Sequence, residues 1–234
     1  MDELIVRVLR TIACATRLRI LARLMRADEA TPSRLARDLR LRPDVLSLHL
    51  ARLTSAGLIQ RRRSGARHYC SARSPYDDTT LSGQVVEWLH YALATGSQDP
   101  PTGASPHAYA SRRSLDAHRA VFDAATAFTH PRRIQILRRL SRGKPPHVIT
   151  LMQELRMSSA AVSRHTDKLI RRGYVRALPP ARGLTYELVR KGKTPLHGRL
   201  LAIVAAHWAE RDAARSSTDL RATPPRHART RSGT

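Results

Sequence analysis

Leu35-Ala36-Arg37-Asp38-Leu39, Arg40-Leu41-Arg42-Pro43, Val45-Leu46-Ser47-Leu48-His49-Leu50-Ala51-Arg52-Leu53 and Ala56-Gly57-Leu58-Ile59 read in succession as a helix, a tight turn, a second helix and a glycine stop before a strand. Pro43 has a fixed φ and no amide proton, so it suits the first turn of a new helix and not the interior of an old one. Two short helices therefore meet at an angle. Leu46, Leu50 and Leu53 share one face, which leaves Arg42, Asp44, Ser47 and Leu48 outside. Gly57 stands where a helix needs a left-handed residue to end. Arg61-Arg62-Arg63, Gly65, Arg67, His68 and Tyr69 then suggest a strand, a turn and a returning strand, all positively charged. A helix-turn-helix followed by such a hairpin is a winged helix.

The same pattern recurs. Cys14–Ile59 and His130–Val175 align without a gap at an offset of 116 residues, which sets Arg17 against Arg133. Ser47 then matches Ser163, His49 matches His165, and Gly57 matches Gly173. Paired leucines arise in any two amphipathic helices, but a shared Ser-x-His in one register with the same glycine stop points to tandem duplication. The fold class is mainly α with small β-wings (α+β), built as two tandem winged helix-turn-helix domains. The expected boundaries are residues 1–93 for the first unit, 94–113 for a Pro/Gly/Ser linker, 114–214 for the second unit and 215–234 for a disordered basic tail.

Working outward, the first helix is expected over Asp2–Ala13, with Leu4, Ile5, Val8, Leu9 and Ile12 on a wide apolar face. A second helix runs from about Thr16 to Arg26, with Leu18, Leu21 and Met25 inward. Thr31 caps the third, with Pro32 in its first turn. Leu81, Val85, Trp88, Leu89 and Ala92 mark a closing helix. In the second unit, Val121, Phe122, Ala125 and Phe128 belong to one helix and Arg132–Leu140 to the next. Val148-Ile149 resembles a short strand, and Thr150 with Gln153 resembles a capping box. Ser158–Arg172 is the recognition-helix candidate. Tyr174-Val175 and Tyr186–Val189 flank a wing around Pro179, Pro180, Arg182 and Gly183, and Pro195–Ala214 closes the unit, with Trp208 echoing Trp88.

A chain of 234 residues is long enough for two domains of ~100 residues, each with its own core. Cys14 and Cys70 cannot make a disulfide framework, which suits a reducing interior; they are read as buried thiols, with a redox pair as the alternative. No apolar run approaches the ~20 residues of a membrane span, so a cytoplasmic, nucleoid-associated protein is expected. The net charge of +24 points to a polyanion, and double-stranded DNA fits best. A genome rich in G and C also inflates arginine, and the lysines number only Lys144, Lys168, Lys191 and Lys193.

Ala15-Thr16-Arg17-Leu18-Arg19-Ile20-Leu21 and Ser47-Leu48-His49-Leu50 resemble the ArsR/SmtB family of bacterial winged-helix regulators over about 90 residues of the first unit. The second unit, with Val162-Ser163-Arg164-His165, Arg172-Gly173-Tyr174-Val175 and Leu188–Lys193, stands between that family and the MarR-like regulators. The resemblance implies a recognition helix in the major groove, a wing along phosphate or minor groove, and dimerisation through first and last helices. It also implies a sequence-specific transcriptional regulator, with repression the expected sign.

Metal-sensing members carry paired cysteines before the recognition helix or Asp and His ligands on the last helix. Leu35–Leu39 has no cysteine, and His90, His197 and His207 do not cluster. No metal, no cofactor and no catalytic residue is therefore assigned. Phosphate loops, nucleophile elbows and ligand clusters are absent, which argues against an enzyme.

The DNA-binding candidates are Arg42, Ser47, His49, Arg61, Arg62, Arg63 and Arg67 in the first unit. In the second they are Ser158, Ser159, Ser163, Arg164, His165, Lys168 and Arg182. Small hydroxyls suit phosphate, and Arg164 can grip guanine bidentately. Leu48 occupies a place more often polar, so it can meet only a thymine methyl or another protein. His49 and His165 are expected to pack at the helix surface or touch phosphate. The two units fit a covalent pseudo-dimer, as a monomer or as a homodimer, acting on an asymmetric operator with an unidentified effector. Alternatives are a DNA-organising or replication-initiation protein and a protein-interaction module.

Overall fold

The structure is a computed structural model that describes residues 2–94, 106–178 and 184–221. Helices α1 (Asp2–Ile12) and α2 (Ala15–Ala27) lead to the short strand β1 (Glu29–Ala30) and to α3 (Pro32–Leu39) and α4 (Pro43–Ser55). A hairpin of β2 (Gln60–Ser64) and β3 (Arg67–Ser71) follows, and α5 (Leu81–Ala94) closes the first unit. The second unit repeats this order as α6 (Pro106–Thr126), α7 (Pro131–Leu140), α8 (Val148–Leu155), α9 (Ser159–Arg171), β4 (Val175–Leu178), β5 (Thr185–Leu188) and α10 (Pro195–Arg221). The mainly α fold with small β-wings is thus the one expected.

Local chemistry explains most boundaries. Thr31 accepts the Arg34 amide at 3.3 Å and Pro32 opens α3. Gly57 at φ +68° and Gly173 at φ +74° end α4 and α9, and in each unit the next amide reaches back five residues, Leu58 to the Leu53 carbonyl and Tyr174 to the Leu169 carbonyl, both at 3.0 Å. The turn into each recognition helix uses a left-handed arginine, Arg40 at φ +52° and Arg156 at φ +50°. These two positions are also 116 residues apart, so the duplication extends to the backbone.

Some expectations are corrected. Val148-Ile149 is not a strand: Val148 opens α8, and the β-like contact there is a single antiparallel bridge between His147 and Thr185. Ile149 is 62% exposed, as the outer face of a helix permits. Thr150 lies inside α8, and the N-cap is His147, without a side-chain capping bond. Helix α6 begins at Pro106, inside the stretch read as linker, and α10 continues to Arg221, inside the stretch read as tail. The rest of the linker and tail, 95–105 and 222–234, lies outside the described residues.

In the first unit β1 joins the hairpin to make a three-stranded sheet in the order β1-β3-β2, while the described residues of the second form the β4-β5 pair. One buried apolar cluster runs through both units. Helix α1 packs on α6 and α7, and α5 packs on α6 and α10. Polar contacts cross the same seam. Arg10 donates to the Thr129 carbonyl at 2.8 Å, and the Trp88 indole N–H donates to the Leu196 carbonyl at 3.0 Å. The Arg199 guanidinium stacks 3.7 Å from the centre of the Tyr91 ring.

Candidate nucleic-acid interface

Both recognition helices are anchored by apolar rows. Leu46, Leu50 and Leu53 hold α4, and Val162 and Leu169 hold α9, with Thr166 buried between the latter two and bonded back to the Val162 carbonyl at 2.9 Å. These rows fix which residues face outward. On α4 the exposed residues include Asp44, Val45, Ser47, Leu48, Ala51 and Arg52. Leu48 is 54% exposed. Arg42, just before the helix, pairs with Asp44 at 3.2 Å.

On α9 the exposed residues are Ser159, Ala160, Ser163, Arg164, Asp167, Lys168 and Arg171. Ser158 caps the helix by accepting the Ala161 amide at 3.3 Å, which leaves its hydroxyl proton to donate outward. Arg164 rests its Nε on the Ala160 carbonyl at 3.3 Å, a local bond that leaves four guanidinium N–H groups for other partners.

The two histidines of the repeated motif sit deeper than the serines and arginines beside them. His49 is half-buried, and its Nδ1 is shut off from solvent without a hydrogen-bond partner among the described residues. Burial first, then the Arg17 and Arg52 charges, lowers its pKa. His165 is half-buried against His130, the N-cap of α7. Both rings are thus packed against their units and not set out with the exposed side chains of the recognition helices.

The wings carry charge differently. In the first, Arg61, Arg63 and Arg67 are exposed. Arg62 is tied down, with its Nε and Nη2 donating to the Glu29 carboxylate at 2.7 and 2.6 Å while its guanidinium lies 4.8 Å from the Tyr69 ring centre. That fork holds Glu29 below its usual pKa. In the second wing Arg176 pairs with Glu187, its partner across the strands, at 2.5 Å. Arg182 lies outside the described residues. Among the described residues of the two recognition helices and wings, arginines and lysines without a carboxylate partner include Arg61, Arg63 and Arg67 on the wing of the first unit and Arg164 and Lys168 on α9 of the second.

Residues 13–62 match a helix-turn-helix domain family, and residues 130–177 match the bacterial regulatory protein, arsR family. The two matches bracket α2–β2 and α7–β4, the segments related by the internal repeat. The chain carries two tandem ArsR-like helix-turn-helix units. It is a DNA-binding transcriptional regulator whose partner is double-stranded DNA. No curated protein and no solved structure matches the chain.

Among the described residues no group of three His, Cys, Asp or Glu side chains is placed to hold a metal ion, and no helix is long and apolar enough to cross a membrane. Cys14 and Cys70 are free thiols; Cys70 is buried, and burial raises its pKa. His197 is buried beside Tyr174 and bonded to Thr194 at 2.7 Å, while His90 contacts the Ala72 carbonyl at 3.1 Å.

Proposed function

We propose that this regulator is a repressor that places two unlike winged helices on one asymmetric operator as an intramolecular pseudo-dimer, acting in the cytoplasm at the nucleoid. The observation that carries this reading is the seam between the units. First helix α1 lies on first helix α6, last helix α5 lies on last helix α10, and one core runs through both. Two subunits of a winged-helix dimer would meet in this way.

In this reading Arg164, with Ser159, Ser163 and Lys168 beside it, reads bases and phosphates through the second unit. Arg61, Arg63 and Arg67 clamp phosphate through the first. Arg42 stands just before α4 and Ser47 lies on it, beside Leu48, which offers only apolar contact. The first unit then contributes affinity and the second contributes choice of sequence, which makes the operator asymmetric.

The test is binding of the full chain to its own upstream DNA and to a scrambled duplex of equal length, at low and at physiological salt. Preference for the upstream DNA that persists at physiological salt and disappears in Arg164→Ala supports the reading. Equal binding to both duplexes that collapses together with salt supports a DNA-organising protein, the reading that the net charge of +24 would favour. An operator with two identical half-sites contradicts the asymmetric assignment.

A further inference from the structure

A cleft of about 740 Å³ opens beside α1, bounded by the first unit's α2 and α4 and by the second unit's α7 and α10. Its lining carries five arginines, Arg7, Arg10, Arg17, Arg52 and Arg211, against one carboxylate, Glu3. Among the described residues none of the five arginines is in an ion pair. Elsewhere Arg23, Arg62, Arg139, Arg172 and Arg176 each lie on an Asp or Glu. Cations gathered in one concavity without counter-charge repel one another, and a bound anion relieves that repulsion.

Two of the five are held in place. Arg17 is almost wholly buried at 7% exposure and donates to the Thr11 carbonyl and, at 3.2 Å, to the Arg10 carbonyl. Arg10 in turn is fixed by its bonds to the Thr129 carbonyl of the second unit. Each guanidinium has five N–H donors and spends only two of them in these contacts. Arg7, Arg52 and Arg211 are exposed around them. Leu4 and Pro131 give the same cleft apolar edges. The volume falls in the range of small-molecule sites.

We propose that this cleft is a binding site for a small organic anion carrying a phosphate or at least two carboxylates, with an apolar portion against Leu4 and Pro131. Fork-shaped guanidinium groups recognise such oxyanions with paired hydrogen bonds. The position matters because Arg52 belongs to α4, the recognition helix of the first unit, while Pro131 and Arg211 belong to the second. An occupant touches both units at once. The site lies beside α1 and α10, apart from the Ser-Arg face of α9 and from the hairpin arginines, and it does not depend on which DNA the units read.

The experiment is calorimetric titration of the full chain, without DNA and at constant ionic strength, with citrate, with inorganic pyrophosphate and with acetate. The expected result is saturable one-to-one binding of citrate or pyrophosphate and none of acetate. It should weaken about tenfold or more in Arg7→Ala and in Arg211→Ala. Arg119→Ala, which removes an exposed arginine on α6 away from the cleft, should bind as the unaltered chain does. Arg7 and Arg211 make no ion pair and are exposed, so both variants are expected to melt at the unaltered temperature, which thermal unfolding verifies. Three results overturn the proposal: no saturable binding of either polyanion, equal weakening in Arg119→Ala, or unchanged anion binding in Arg7→Ala with a loss of affinity for duplex DNA. The last would assign the cleft to a DNA phosphate.

Discussion

The imidazole rings of His130 and His165 lie 4.6 Å apart, centre to centre, and join the start of α7 to the middle of α9. Burial lowers the pKa of both. For His130 the charges of Arg133, Arg10 and Arg132 add to it, and for His165 the neighbouring His130 and then Arg133, Arg164 and Arg132 do. Both rings are therefore harder to protonate in the folded protein than in the unfolded chain, where histidine titrates near the ordinary value of 6.5. His49, His118, His197 and His207 are lowered in the same direction, burial again being the first cause.

Stability versus pH follows from this. A histidine with a depressed folded-state pKa leaves the unfolded chain holding more protons below about pH 6.5, so its stabilisation is complete above that pH and is lost as pH falls through the folded-state value. The melting temperature of the full chain should fall steadily between pH 7 and pH 5. His130→Gln/His165→Gln should fall less steeply over the same interval. A melting temperature constant over that range, measured by circular dichroism, would contradict the lowered histidine pKa values.

Arg17 and Arg133 occupy equivalent places in the two units and make equivalent bonds. Each is 7% exposed and each donates its Nε to a carbonyl six residues earlier, that of Thr11 for Arg17 and that of Ala127, at 2.9 Å, for Arg133. Arg133 adds a bond to the Thr129 hydroxyl at 2.6 Å. Each arginine closes the end of its unit's first helix, and replacing Arg133 by Met keeps the bulk while orphaning those acceptors. Arg133→Met should cost about 2 kcal/mol or more in denaturant unfolding. Exposed Arg164→Ala should stay within about 0.5 kcal/mol of the unaltered chain.

How much of this was legible in the sequence depends on the reach of each cause. Leu46, Leu50 and Leu53 announce the buried face of α4 by spacing alone, Gly57 and Gly173 announce helix ends by residue type, and the Ser47/Ser163 register announces the duplication. The left-handed turns at Arg40 and Arg156 give no such signal, because arginine has no preference for that conformation. Val148-Ile149 is β-branched, yet tertiary packing of Leu151 draws the segment into a helix. The early start of α6 was hidden by the Pro/Gly/Ser composition before it, although Pro106 suits a first helical position. The Arg62–Glu29 fork and the arginine cleft join residues far apart in the chain, so no local pattern foretells them.

Gly173 tests the repeat at the level of one atom. At φ +74° a side chain is strained, and an added Cβ would lie 2.6 Å from the Cβ of Lys193. Gly65, in the hairpin turn at φ +58°, has open space around the same position. Gly173→Ala should therefore destabilise by about 1–3 kcal/mol, since strain and collision add. Gly65→Ala should cost about 1 kcal/mol, from strain alone. Equal losses in the two variants, measured side by side in urea, would show that the Lys193 contact relaxes freely.

Trp88 joins the two units where α5 meets α10. Its ring is 3% exposed on α5 and its N–H reaches the Leu196 carbonyl at the start of α10, so it supplies buried area and a directional bond to the same junction. Trp88→Phe keeps most of the area and loses the bond, a cost of about 1 kcal/mol. Trp88→Ala leaves a cavity as well, and about 3–5 kcal/mol is the expected loss. Each unit retains its own leucine rows on α4 and α9 in that variant, so the loss falls on the seam more than on the units. Thermal unfolding followed by calorimetry should then show one transition in the unaltered chain and two in Trp88→Ala. A single, uniformly lowered transition would mean that the units have no stability apart from the seam, and the repeat would have to be treated as one folding domain.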